Sequence, residues 1–89
     1  MARRQPITNL QRSEDYGILQ HLIDVLFGDA EFVRRVDAIV LAESFDLPAD
    51  LVEIVNLLPP GTYTRQRMCD QLNSAISGHA WGQVYGTVE

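Results

Sequence analysis

No lysine occurs in the 89 residues, and the single cysteine, Cys69, has no second cysteine with which to form an internal disulfide or a Cys-x-x-Cys metal or redox motif. All seven basic residues are arginines, a bias that carries no mechanism of its own. The lone cysteine points to a reducing compartment, because small secreted scaffolds are usually stapled by several bridges. No apolar run approaches the ~18–20 residues that span a bilayer. The stretch QPITNLQRSED after Arg3 and Arg4 lacks the apolar core of a secretory signal. A cytoplasmic chain without membrane contact is the expectation.

Catalytic signatures are equally scarce. There is no glycine-rich phosphate loop, no GxSxG elbow and no HExxH helix. Cys69 and His79 stand ten residues apart along one helix and past its end, too far to act as a nucleophile and its base. His21 and Asp24 share an i, i+3 spacing, yet two histidines and one cysteine fit no recognised metal-ligand pattern. The expectation is a non-enzymatic protein with no catalytic, cofactor-binding or metal-binding residues.

What the chain has is the composition of a folded domain, 46% hydrophobic and 21% charged. Its length allows one small core, with stability on the order of 5–10 kcal/mol. Residues 1–89 are therefore expected to form a single helical domain, with 1–12 as a flexible or extended arm. The net charge of −5 is unevenly spread. Residues 14–53 hold ten carboxylates against Arg34 and Arg35, a local net of −8, whereas 1–13 carry three arginines and 54–89 balance. Such a field repels a phosphate backbone and favours basic partners.

Hydrophobic spacing predicts four helices. In the first, about 14–27, Tyr16, Leu19, Leu22, Ile23 and Leu26 recur at helical spacing between a Ser13 cap and a left-handed Gly28, with Gly17 inside at a cost of ~1 kcal/mol. The second, about 30–44, follows an Asp29 cap and gathers Phe32, Val33, Val36, Ile39 and Val40 on one face. So short a connection makes the two neighbours. The third starts near Pro48 with Asp46 as its cap, is apolar over most of its circumference, and ends at Pro59 and Pro60. The fourth, 65–77, has Thr64 as N-cap, Tyr63 and Met68 at the spacing of a hydrophobic staple, and Gly78 at its end. Residues 81–88 alternate like a strand, with 6–10 or the piece around Thr62 and Tyr63 as possible partners. The expected fold is mainly α, a four-helix domain with a short C-terminal extended or β segment.

Two functions suit this outline. The third and fourth helices form a pair like a helix-turn-helix, and the tail could serve as a wing. Arg65, Gln66, Arg67, Asn73 and Ser74 would then reach DNA, although Asp70 interrupts that face and the domain is acidic. The favoured expectation is an acidic adaptor or regulator that binds a protein partner, with a homodimer as one form it could take. Tyr63, Trp81 and Tyr85 are its candidate anchors, since aromatics near arginine commonly dominate interfaces.

Overall fold

Gly17 starts the first helix rather than sitting inside it. The computed structural model describes residues 15–79 and 82–89; the expectations for the arm 1–12, the strand partner 6–10, the Ser13 cap and Trp81 lie outside them. At φ +90 Gly17 turns the chain, and its N–H donates to the Tyr85 carbonyl at 3.1 Å, so helix α1 spans Ile18–Leu26. Leu19, Leu22 and Ile23 are fully buried, as the spacing predicts. Gly28 is not among the positive-φ residues. The last turn instead tightens through a Gly28 N–H to Val25 carbonyl bond at 3.3 Å, so no left-handed residue is needed there.

The second helix begins five residues later than expected. Val33–Arg34 form β1 and pair antiparallel with β2, Thr62–Tyr63, in the register Val33 with Tyr63 and Arg34 with Thr62. This pairing buries Val33 and Tyr63, and tertiary pairing here overrides the local helical period. Helix α2, Arg35–Ser44, starts where the Arg35 N–H donates to the Gly61 carbonyl and the Asp37 carboxylate accepts the Arg34 N–H, each at 3.0 Å. Asp29 therefore does not cap it. The buried face also differs from the expected one: Ala38 and Ala42 enter the core, while Val36 and Val40 point out.

Helix α3, Ala49–Asn56, follows Pro48 and buries Leu51, Ile54 and Val55. Asp46 is not its cap. It sits just beyond α2 at φ +54, in the left-handed conformation. The C-terminal end of α3 is held by Arg35, whose Nε donates to the Leu58 carbonyl at 2.6 Å and whose Nη2 donates to the Asn56 carbonyl at 2.9 Å. A cation is well placed there, against the negative end of the helix dipole.

Helix α4, Arg65–Gly78, is capped at its N-terminus as its sequence predicts, Thr64 Oγ1 accepting the Arg67 N–H at 3.2 Å, but Gly78 does not close it: Gly78 is still helical and His79 is the C-cap. Tyr63 and Met68 are both buried, and Cys69, Leu72 and Ile76 complete the inner face. A four-residue helix α5, Gly82–Tyr85, follows, and residues 86–89 form a tail without regular secondary structure that joins no sheet. Among the described residues the mainly α fold is thus a set of four principal helices around one core, with a two-residue β-ladder tying the start of α2 to the start of α4.

Candidate functional site

Several polar side chains of α4 are engaged within the chain. Arg65 donates to the Asp24 carboxylate on α1 and, through Nε at 3.1 Å and Nη2 at 2.9 Å, to the Glu89 carbonyl. Asn73 pairs with the backbone of Val88 through both its amide nitrogen and its oxygen. Gln66 donates to Asp70 one turn on, at 2.9 Å. Of the five side chains that could address DNA, Arg67 and Ser74 remain exposed with no hydrogen bond from their side chains to described residues. The tail lies beside Arg65 and Asn73 and takes up their hydrogen-bonding groups.

The aromatic anchors are likewise turned inward. Tyr63 is 3% exposed and donates its hydroxyl to the Pro59 carbonyl. Tyr85 is 8% exposed and donates to Asp50 at 3.2 Å; burial first, and then this hydrogen bond to a carboxylate, push its phenol above the usual value. Neither ring is available at the surface, and Trp81 lies outside the described residues. The aromatic spacing in the sequence reported core closure at these two positions.

Cys69 is buried, and that burial raises its thiol pKa. His79 is exposed, its Nδ1 against the Ala75 carbonyl at 3.0 Å, so the two do not form a reactive pair. His21 stacks at a tilt on Phe45, ring centres 5.3 Å apart, while Asp24 is occupied by Gln20 and Arg65. Among the described residues no group of three or more His, Cys, Asp or Glu side chains is arranged to hold a metal. No helix is long and apolar enough to cross a membrane, again among those residues.

The surface feature that remains is apolar. Val36 and Val40, one turn apart on α2, are 49% and 56% exposed, and Val25 on the adjoining α1 is 47% exposed. Val25, Leu26, Val40 and Leu41, with Asp37, line an open cavity of about 380 Å³ between the two helices. Phe32, 60% exposed just ahead of β1, adds a further ring at the surface.

Sequence patterning assigned the valines to the core because they share a helical face. The overlooked signal was the pair Ala38 and Ala42 on another face at i, i+4, where small side chains let neighbouring helices approach closely. Helix α2 therefore has two apolar faces, and the domain covers one of them.

One carboxylate lines this groove, and three others are exposed close to it in sequence. Asp37 lines it, Glu43 continues the Val36–Val40 stripe, and the connection between the two helices carries Asp29 and Glu31. Arg34 bonds Asp37 with Nε and Nη2, each at 3.4 Å; its backbone N–H and then this guanidinium hold the Asp37 carboxyl below its ordinary value. Asp29, Glu31 and Glu43 are exposed without an ion pair to any described residue. No protein-family model, curated protein or solved structure matches the chain.

Proposed function

We propose that the chain is a non-enzymatic adaptor or regulatory module that binds a protein partner on the α1/α2 face. The observation that carries this is the outward pair Val36 and Val40 on a helix whose alanines already satisfy the core. Isolated exposed valines need no explanation, but a one-turn pair of which Val40 lines the cavity with Val25, Leu26 and Leu41, while Val36 lines a second one with Arg34, Arg35, Pro60, Gly61 and Thr62, is the form an interaction patch takes. Recognition of DNA through α4 has less support. Arg65 and Asn73 are spent on the tail, and one exposed arginine neutralises few phosphates.

A photo-crosslinking side chain placed at Val40, and in a separate variant at Ser74 on α4, tests the assignment in the source cells. Protein adducts are expected from position 40 and not from 74, and they should disappear in the Val36→Asn variant. No adduct at 40, or equal adducts at both positions, would overturn it.

A further inference from the structure

We propose that the cleft between α1 and α4 is a receptor for a strand-like peptide segment of another protein, and that the tail, residues 86–89, occupies part of it as an internal competitor. Two carboxamides read the backbone of the tail. Asn73 on α4 takes both the N–H and the carbonyl of Val88, each at 2.8 Å, while Gln20 on α1 takes the N–H of Glu89 at 2.8 Å and its carbonyl at 2.9 Å. Consecutive residues that turn both polar groups to opposite neighbours are what a strand offers inside a sheet. Arg65 adds bonds to the second carbonyl. All of these bonds go to main-chain atoms, so they are indifferent to the sequence of the occupant. Selectivity rests on one side chain, Val88, which is buried between exposed Thr87 and Glu89. Main-chain bonds for affinity with a pocket for alternate side chains are the means by which a sheet edge captures a peptide. Asp24 accepts from both Gln20 and Arg65, which ties these two donors to each other independently of the tail.

The tail does not fill the cleft. An open cavity of about 340 Å³ continues beside Val88 and Glu89, lined on α4 by Gln66, Cys69 and Asp70. A segment longer than the tail gains contacts there, and these offset the high local concentration that attachment gives the tail. The tail of a second copy has no such advantage, since an exchanged tail makes the same bonds that it gives up in its own chain. The occupant is therefore a segment of a different protein, with a small branched aliphatic residue where Val88 sits and a continuation that enters the cavity. This cleft is distinct from the α1/α2 face, and neither assignment depends on the other.

An amidated peptide with the sequence of residues 84–89, titrated to millimolar concentration against the full chain and followed by the side-chain amide NMR signals of Asn73 and Gln20, tests the proposal. Val88→Asp evicts the internal competitor by placing a charge in its pocket, and Val88→Pro does so more mildly by removing the N–H that Asn73 accepts. The peptide is expected to bind the two variants at least ~10-fold more tightly than the wild type, whose own tail competes. N-methylation of the peptide valine that corresponds to Val88, or its replacement by serine, should weaken binding by at least ~10-fold. One leucine added after the glutamate should tighten it several-fold by reaching the cavity.

No shift of the Asn73 and Gln20 signals in either variant, with helical circular dichroism retained, would overturn the proposal. Equal affinity for wild type and variants would place the peptide elsewhere, and equal affinity of the N-methylated peptide would show that the backbone is not read; either overturns it. No gain from the added leucine would confine the cleft to the tail and overturn the partner inference. Loss of helical signal in both variants would make the tail part of the core rather than an exchangeable occupant, with the same consequence. Wild-type dimers in sedimentation equilibrium that the peptide dissociates would assign the cleft to the tail of a second copy and also overturn it.

Discussion

The side chain of Asn73 pairs with the backbone of Val88 as a neighbouring strand would: its Nδ2 donates to the Val88 carbonyl and its Oδ1 accepts the Val88 N–H, both at 2.8 Å. Val88 is buried, so these two backbone groups would otherwise be desolvated without partners. One amide thus fastens the tail to α4. Gln20 adds a second clasp from α1, accepting the Glu89 N–H at 2.8 Å and donating to its carbonyl at 2.9 Å.

Asn73→Ala should accordingly cost about 2–3 kcal/mol, since two hydrogen bonds are lost and two buried groups are left unpaired. Thermal unfolding should fall by roughly 10 °C or more for a domain of this size. The Val88 amide should lose its hydrogen-exchange protection ahead of the core helices. A melting curve unchanged within a degree would show that the tail adds nothing to stability.

Gly17 and Gly86 bring the start of α1 and the tail together, and both need positive φ, +90 and +87. A Cβ on Gly17 would meet nothing within 4 Å, so Gly17→Ala should cost about 1–2 kcal/mol from the backbone alone. A Cβ on Gly86 would also come within 3.3 Å of Tyr16 Cζ, so Gly86→Ala should cost at least as much. Gly78 is helical and unobstructed, and Gly78→Ala should stabilise by about 0.5–1 kcal/mol. Denaturant melts of the three variants check the order; a stabilising Gly17→Ala would contradict the left-handed start.

Where one residue type and its immediate neighbours decide the structure, the sequence was legible: the Thr64 cap, the buried face of α4 and the break at Pro59 follow from local chemistry. The larger errors share one cause, which is pairing with a distant segment, whereas the misplaced caps at Gly28 and Asp46 are local. Residues Phe32 to Arg34 have a helical period, but Val33 finds Tyr63 thirty residues away and becomes strand. Thr62 and Tyr63 were recognised as extended, yet their partner was sought in the tail. The tail's own pattern suggested a strand, whereas a side chain, Asn73, takes the place of a paired strand at Val88. The candidate face was concealed for another reason: Val36 and Val40 share a helical stripe with larger apolar side chains than Ala38 and Ala42, and it is the alanine face that packs.

Asp46 occupies the left-handed region at φ +54 directly after α2, a position where glycine carries no Cβ penalty. Asp46→Gly should therefore stabilise the domain by about 0.5 kcal/mol, the relief of strain being partly offset by the greater freedom of glycine in the unfolded chain. Its carboxylate has no hydrogen bond to a described residue that the change would sacrifice. Asp46→Ala should not stabilise, since it keeps the strained Cβ. Paired urea titrations would measure the difference, and equal midpoints would place the strain elsewhere.

Two carboxylates link the fold to pH. Hydrogen bonds from Gln20 and then Arg65 lower the Asp24 pKa from its ordinary 3.8, and the Arg34 backbone N–H followed by its guanidinium lowers that of Asp37. A depressed folded-state value means that the contribution is complete above about 3.8 and disappears as pH falls through the lower folded values. Both groups are exposed enough for salt to screen their pairs. Melting temperatures taken between pH 5 and pH 2 should fall less steeply for Asp24→Asn than for the wild type. Parallel curves would separate the Asp24–Arg65 pair from acid unfolding.

A random DNA duplex followed by anisotropy should show no salt-sensitive binding through α4. The slope of affinity against salt counts neutralised phosphates, at about −0.9 per phosphate on the logarithmic scale. On α4 Arg65 is committed to Asp24 and Glu89, and exposed Asp70 lies one turn from Gln66, leaving Arg67 to act nearly alone. The arginines at 3, 4 and 12 could give a slope of their own, so the decisive comparison is between wild type and Arg67→Ala/Ser74→Ala. These substitutions touch no side-chain bond to a described residue, and the variant should fold normally and leave any weak binding unchanged. Asn73→Ala cannot serve in this comparison, because it would release the tail and confuse loss of fold with loss of contact. Steep salt-dependent binding that Arg67→Ala/Ser74→Ala removes would make α4 a nucleic-acid surface, and the protein-binding assignment of the α1/α2 face would then lose its claim to be the principal function.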